Sequence, residues 1–334
     1  MLRFVLRRVV QVVPTLLVLS ALLFGWLRLL PGGPSAALLG DKATPEKIAA
    51  LNHTLGLDQP VYLQYLRFLG RVLAGHFGNS LVTSDPVTTE LARAFPATIE
   101  LSAAAMLFAV GLGIPLGYLS ARRRGGFLDN STVIGTLLGV AVPVFFLGYV
   151  LKYLFAVQWG LLPPSGRQSV ALDATHVTGF AVLDGLLTGE YDASWDAIRH
   201  LVLPAIALGT IPLAVVVRIT RASVLDVLDE DYVRTAEAKG LHASTVRRRH
   251  VLRNALLPVS TTIGLQTGLL LAGAVLTEKV FVWNGLGSLL AEGIERRDYP
   301  RLQALILVVA VVYVVINLLV DISYALIDPR VRVR

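Results

Sequence analysis

The sequence predicts an all-α, polytopic membrane protein with six transmembrane helices, and three observations carry that prediction. Of its 334 residues, 54% are hydrophobic and 16% charged, and the mean hydropathy is +0.66. A water-soluble chain is about 25% charged, because its surface faces water on every side. The soluble two-domain protein that length alone suggests is thereby excluded. Six stretches, 9–30, 101–119, 133–151, 201–217, 255–277 and 302–320, approach the roughly 20 apolar residues that cross a hydrocarbon core of about 30 Å. The segments between them share Lys and Arg unevenly. The absence of cysteine excludes a disulfide framework, a thiolate metal site and a cysteine nucleophile.

The first span follows a basic start, Arg3, Arg7 and Arg8, and carries Arg28 near its end. Its 22 apolar-rich residues are not followed by an Ala-x-Ala site, which favours a retained signal anchor over a cleaved signal peptide. Segments 1–8, 121–130, 218–254 and 326–334 hold 17 Lys and Arg, whereas the longer segments 31–100, 158–200 and 278–301 hold 11. Short basic loops mark the cytoplasmic side, so both termini are expected there. The net charge of +7 is then topological, and no nucleic-acid partner is implied.

Residues 31–97 form a candidate external cap. Pro31-Gly32-Gly33-Pro34 ends the first helix, Thr44 caps a helix over 45–51, and 61–73 carries Val61, Tyr65, Leu69 and Val72 on one stripe. Asp85-Pro86 opens a third helix expected to end near Pro96. Packing on its own bundle and docking a partner remain equally open for this cap. The acids of 158–199 (Asp173, Asp184, Glu190, Asp192 and Asp196) read as solvated loop charge rather than a trap for a cationic substrate. Arg28, Glu100, Lys152 and Asp321 all lie at span ends, where they can snorkel. No ionisable residue falls at the middle of a span, which disfavours an ion-coupled secondary carrier.

The most informative loop, 218–254, holds eight basic and five acidic residues. Residues 218–228 continue the fourth span. Asp229-Glu230-Asp231 favour the start of a new short helix, about 232–239, with Lys239 in its last turn and Gly240 as a left-handed stop. Ser244 is expected to cap the helix that leads back to Pro258. A capped helix held on two helical arms suits docking; a loop that meets anionic headgroups carries the same features.

The run 231–241, Asp-Tyr-Val-Arg-Thr-Ala-Glu-Ala-Lys-Gly-Leu, followed by Leu252-Arg253-Asn254-Ala255-Leu256-Leu257-Pro258, resembles the EAA box of permeases of binding-protein-dependent ABC importers, in particular the dipeptide/oligopeptide/nickel branch. Leu55-Gly56-Leu57-Asp58-Gln59-Pro60, Pro96-Ala97-Thr98-Ile99-Glu100-Leu101, Arg297-Asp298-Tyr299-Pro300, Asn317-Leu318-Leu319-Val320-Asp321 and the tail 324–332 extend the likeness over the chain. Departures are Arg234 where the box has its Glu, His76 where Asp is usual and Asn284 where Pro is usual.

The resemblance implies the type I ABC importer permease (MetI-like) fold in a bacterial plasma membrane. It implies a pore subunit paired with a second homologous permease, two cytoplasmic ABC ATPases and an external peptide-binding protein. Tyr232, Arg234, Thr235, Ala236, Glu237, Lys239, Gly240 and Leu241 would couple to an ATPase. The parts are then 1–30 (N-terminus and first helix), 31–97 (cap), 98–328 (five-helix core with coupling loop 218–257) and 329–334 (tail). Dipeptides or oligopeptides are the expected substrates, with nickel chelates or glutathione-like peptides as the alternative and a stand-alone ion-coupled carrier as the reading from another class.

No G-x-x-x-x-G-K-[ST] loop occurs, so the chain itself is expected to hold no cofactor, with ATP and Mg bound by the partner ATPases. His53, His76, His176, His200, His242 and His250 show no metal-ligand spacing, and no nucleophile–base pair is visible, so neither a metal site nor an enzyme is expected. Thr262 and Gln266, spaced i, i+4, are candidates for the translocation path, against packing of the fifth helix through Gly264 and Gly268. Gly113/Gly117 and Gly135/Gly139 repeat the small-residue spacing and read as helix packing.

Overall fold

A computed structural model describes residues 2–29, 35, 36, 39, 40, 43–55, 57–172 and 175–327. The elements in order are α1 (Leu2–Arg28), α2 (Pro45–Leu55), α3 (Val61–Leu73), α4 (Val87–Arg122), α5 (Phe127–Ala141), α6 (Val144–Leu151, continued by a π-helical turn Lys152–Gln158), α7 (Ala181–Thr188) and α8 (Tyr191–Leu228). Then follow α9 (Asp231–Ala238), a helical turn Ala243–Thr245, a π-helical segment Val246–Leu252, α10 (Arg253–Gly273), α11 (Val275–Phe281), α12 (Leu286–Glu295) and α13 (Tyr299–Ile327). Among the described residues three helices are long and apolar enough to cross a membrane, and up to five spans result if each bent pair counts as one; Val10–Trp26 of α1 is a shorter apolar helix. The Pro31–Pro34 stop, Asp173 and the tail from residue 328 lie outside the described residues, as does the Asp321 side chain.

Two helices form the spine. α4 has 36 residues and α8 has 38, so at 1.5 Å per residue each is about 55 Å long and projects beyond a 30 Å hydrocarbon core. Glycine lets their backbones touch. A Cβ on Gly117 would lie 2.7 Å from the Val217 carbonyl oxygen, one on Gly113 2.8 Å from Val216, and one on Gly209 2.7 Å from the Ala105 carbonyl oxygen. The partners advance together along both helices, from 105 with 209 to 117 with 220, so α4 and α8 run parallel. A parallel pair requires the chain to return between them, and α5 with α6 makes that return.

The return is broken. Residues 133–151 were expected as one span, but the chain turns by 103° between α5 and α6. Pro143 lacks an N–H and disfavours helical ψ in the residue before it; Val142 accordingly sits extended at φ −79°, ψ 123°. The opposite error concerns Pro96, where a helix end was expected. Pro96 is buried inside an uninterrupted α4, which also contains Pro115. An interior proline costs about 3 kcal/mol in an isolated helix. Here the surrounding core of Ala97, Leu101, Ala105, Ala205, Leu208 and Trp283 offsets that cost.

The cap packs on its own bundle. α3 has the expected bounds, and Thr44 Oγ1 accepts from the Lys47 N–H at 3.4 Å at the start of α2. The stripe on α3 is rotated by about one position from the expected one: Gln64 and Phe68 are buried, whereas Val61 is 61% exposed. Phe68, Tyr65 and Val72 meet Leu23 and Phe24 of α1 and Leu307 of α13. The rotation follows the larger aromatic ring, which gains more from burial than Val61.

Of the acids of 158–199, Asp184 and Asp196 are buried staples rather than solvated charge, whereas Glu190 and Asp192 are exposed. Asp184, fully buried, accepts from the Thr178 N–H (2.7 Å), Thr178 Oγ1–H (2.6 Å) and Gly179 N–H (2.9 Å). Asp196 accepts from the Ser169 N–H (2.6 Å) and Oγ–H (3.0 Å), and Glu190 from the Thr175 N–H (2.9 Å). Short loop residues donate because a buried carboxylate without donors is unaffordable in a low-dielectric setting.

Two outcomes are expected. Gly117→Val and Gly209→Val should each lower stability by about 1–3 kcal/mol through overpacking, read as a lower unfolding temperature in detergent. Gly111→Ala, where an added Cβ meets nothing within 4 Å, should not. Burial pushes the Asp184 carboxyl up, but its Thr178 and Gly179 donors outweigh burial and hold it below the ordinary value. Its contribution should therefore be complete above about pH 5 and be lost as pH falls from about 3.9 through the lowered native value. Hydrogen exchange of 177–185 checks this, and Asp184→Asn should remove the dependence.

Candidate functional site

The ends of α4 and α8 and the start of α10 gather at one pole of the bundle, and the short helix α9 is mounted there. Glu230 precedes it in an extended conformation, and its acidic first turn complements the helix dipole. At the other end Gly240 adopts φ +71°, the left-handed region that glycine enters without a Cβ penalty. The Leu241 N–H reaches the Ala236 carbonyl (3.3 Å) and the Gly240 N–H reaches that of Glu237 (2.9 Å), a Schellman stop. No atom lies within 4 Å of a Cβ placed on Gly240, so its backbone angle and not its size is what the site requires.

The inner face of α9 is Val233 and Ala236, buried against Ala121, Val224, Val246, Val251 and Ala255. The outer face is Tyr232, Arg234, Thr235, Glu237 and Lys239, with Gly240 and Leu241 beyond it, all exposed. Arg234 lies 3.7 Å from Asp231 in a pair open to water, where it contributes little. Asn254 Nδ2–H donates to the Tyr232 hydroxyl (3.0 Å) and to the His250 carbonyl (2.9 Å), tying α9 to the start of α10. Seven of the eight predicted coupling residues thus share one accessible surface, while Ala236 anchors that surface from beneath. The expected Ser244 cap is corrected: His242 is the N-cap residue, and its Nδ1 accepts from the Ser244 N–H at 3.3 Å. The ring reaches the helix start from two residues before Ser244.

Beside this mount lies a buried ion pair that sequence reasoning missed. Asp129 of α5 accepts from Arg221 Nε–H (2.6 Å) and Nη2–H (2.8 Å) of α8, from Ser120 Oγ–H (2.5 Å) of α4 and from the Gly125 N–H (2.9 Å). One carboxylate therefore ties three helices together just where the loop departs. Its signal was present in a lone acid among the arginines of 121–130, but spacing alone does not pair it with a residue 92 positions away.

At the opposite pole, two of the strings that carry the family resemblance, 96–101 and 297–300, are held by buried polar contacts. Trp283 Nε1–H donates to the Ala97 carbonyl (2.8 Å), and Thr98 Oγ1–H to Glu278 Oε1 (2.7 Å). Glu278 also accepts from the Ser288 N–H (2.8 Å) and is fully buried, one residue past the predicted fifth span. A Cβ on Gly285 would lie 2.5 Å from both Glu278 and Thr98, so glycine is required there. Arg301, 1% exposed, binds Glu90 by Nε–H (2.8 Å) and Nη2–H (2.7 Å), with Glu292 at 3.3 Å and Asp298 at 3.5 Å. Asp298 in turn accepts from Ser80 Oγ–H at 2.6 Å. Glu100, Arg28 and Lys152 are bound rather than simply solvated: Glu100 takes Arg167 at 2.7 Å, Arg28 donates to the Phe24 carbonyl and Gln64, and Lys152 donates to the Val280 carbonyl at 3.2 Å.

Thr262 and Gln266 are half-buried on one face of α10, and the Thr262 hydroxyl donates to the Pro258 carbonyl at 3.0 Å. Gly268 occupies another face, where an added Cβ would lie 3.0 Å from Tyr313 of α13. Gly139 similarly faces Thr210, while Gly135 faces open space. Among the described residues no three His, Cys, Asp or Glu are grouped to hold a metal ion.

Two family models match the chain. Residues 113–333 match the binding-protein-dependent transport system inner membrane component, and residues 1–102 match the N-terminal part of such membrane components. The chain is 47% identical over 333 residues to the di/tripeptide transport system permease protein DppB of Pseudomonas aeruginosa, and 46% over 336 residues to the dipeptide transport system permease protein DppB of Escherichia coli K12; 99% of each chain is covered in both. It is 39% identical over 332 residues to the glutathione transport system permease protein GsiC of Salmonella paratyphi A, again with 99% of each covered.

Removing one side of the Asp129 pair should destabilise strongly. Arg221→Met leaves a buried carboxylate uncompensated and is expected to cost about 3 kcal/mol or more. Arg221→Met with Asp129→Leu should recover much of that loss in the same thermal-unfolding measurement.

Proposed function

The chain belongs to the family of binding-protein-dependent transport system inner membrane components, a multi-pass permease of the bacterial inner membrane and not an enzyme. We propose that it is one of two homologous permease subunits of a peptide importer and that it takes up dipeptides or short oligopeptides. The near-full-length identity to dipeptide permeases supports the substrate class. The likeness to a glutathione permease supports a second reading, in which the cargo is a glutathione-like tripeptide. In both, α1, α4, α5 with α6, α8, α10 with α11, and α13 form six spans, with both termini in the cytoplasm. The parallel run of α4 and α8 and the basic segments at their common end support that orientation.

The observation that carries the coupling proposal is the two-sided build of α9. Its buried face fixes it to the ends of α4 and α8, while its outer face offers Tyr232, Arg234, Thr235, Glu237 and Lys239 to a partner. A cytoplasmic ABC ATPase, which holds ATP and Mg²⁺, seats this face. When two such ATPases close on nucleotide, the displacement passes through Val233 and Ala236 into the spine and opens the pore outward to the peptide-binding protein. ATP hydrolysis then lets the ATPases part and resets the pore. A rigid mount matters here, because a loosely tethered helix would absorb the motion instead of passing it on. Thr262 and Gln266 are proposed as polar groups along the path taken by the peptide backbone.

The test separates assembly from coupling. Gly240→Pro forces φ to about −65° where +71° is needed, and an Arg234→Glu/Lys239→Glu pair reverses the charge of the outer face. Each should leave membrane insertion intact, reduce peptide uptake at least tenfold and break its dependence on ATP hydrolysis in proteoliposomes. Normal uptake at normal expression would overturn the assignment.

A further inference from the structure

A cavity of about 800 Å³ opens between α1, α3 and the start of α13, at the pole opposite α9. Its polar lining includes Arg28, Arg67, Arg71 and His76, and among the described residues no Asp or Glu lines it. Arg28 is anchored in place by the Phe24 carbonyl and Gln64, with its guanidinium 3.4 Å above the Phe24 ring. Arg67 and Arg71 are exposed on successive turns of α3 and belong to no ion pair among the described residues. Arg301 and Arg167 at the same pole are matched to carboxylates, and what sets Arg67 and Arg71 apart from other arginines there without a carboxylate partner is that they line one cavity together with Arg28. The floor of the cavity is apolar, built from Phe24, Phe68 and Leu307. At its edge the Trp26 and Tyr299 rings meet edge to face at 6.1 Å. Trp and Tyr concentrate at the headgroup level of a bilayer, and Leu22 and Trp26 continue from there as exposed apolar surface along α1.

The geometry points to a binding site for an anionic phospholipid of the outer leaflet, with its phosphate held by Arg28, Arg67 and Arg71 and its acyl chains along the apolar face of α1. The inference rests on the orientation proposed above. Three guanidinium groups without a carboxylate partner among the described residues line one concavity and suit an anion. An apolar floor level with interfacial aromatic rings demands that the anion carry hydrocarbon, which a free phosphate does not. Bound there, the lipid would join the cap to α1 and α13 and fix the cap against the bundle.

The experiment is native mass spectrometry of the assembled transporter, purified in mild detergent and supplied with phosphatidylglycerol or phosphatidylcholine. The parent complex should retain phosphatidylglycerol in preference to phosphatidylcholine. Arg67→Gln/Arg71→Gln should lower its affinity by about 20- to 30-fold, taking each basic residue at its usual contribution near an anionic surface. The unfolding temperature measured without added lipid should be unchanged, because both side chains are exposed. Equal phosphatidylglycerol retention by parent and variant would overturn the site. So would equal retention of phosphatidylcholine, or full displacement of the lipid by millimolar inorganic phosphate. Thiol labelling of Tyr62→Cys on intact cells tests the orientation separately. Labelling only from inside, with retention as expected, would move the lipid to the other leaflet and overturn the outer-leaflet assignment while leaving the orientation, and not the cavity, at fault.

Discussion

The close parallel contact of α4 and α8 is the constraint on which the rest of the structure depends. Without a hydrophobic drive between helices in lipid, association relies on close van der Waals fit, and small residues make that fit possible. Gly113, Gly117 and Gly209 bring the two backbones together over more than two turns. Because the pair is parallel, everything between them in sequence must cross back once, and the broken α5–α6 segment does so. Both helices overrun the hydrocarbon thickness, so their ends form platforms at the two poles.

Each platform carries buried charge, and that charge is handled in the same manner. Arg221 meets Asp129 at one pole, while Arg301 meets Glu90, Glu292 and Asp298 at the other. An ion pair of this kind adds little net stability compared with well-packed apolar groups, but losing one member is costly. Its value lies in fixing geometry: Asp129 sets the relative position of α4, α5 and α8 where α9 is attached. Seated on such a platform, α9 is packed against the ends of α4 and α8, which suits the proposed coupling role.

Features set by neighbours in the chain were legible in the sequence. The left-handed stop at Gly240, the Thr44 cap and the bounds of α3 follow from local backbone and capping rules and match the structure. Features set by tertiary packing were not. Pro96 reads as a helix end because its own chain cannot show the core that envelops it, whereas Pro143, with fewer compensating contacts, does break its span. The α3 stripe shifted toward Phe68 because the surface of α1 and α13 decides which face is covered. Asp184 and Asp196 read as solvated because their donors are loop N–H groups, which no side-chain pattern reveals. Most of the candidate site was readable as a contiguous string, yet its attachment through Asn254 and Tyr232, and the Asp129 pair beneath it, appear only in three dimensions.

The absence of cysteine makes the most direct measurement simple. Thr235→Cys introduces a single thiol at the centre of the exposed face of α9, and Tyr62→Cys places one at the opposite pole as a control. A short bifunctional crosslinker applied to native membranes should join the thiol at 235, and not the one at 62, to a subunit carrying a Walker A sequence, with ATP changing the yield. If the thiol at 235 captures no ATPase while the complex is otherwise assembled, α9 is not the coupling helix and the account of how this permease is driven is wrong.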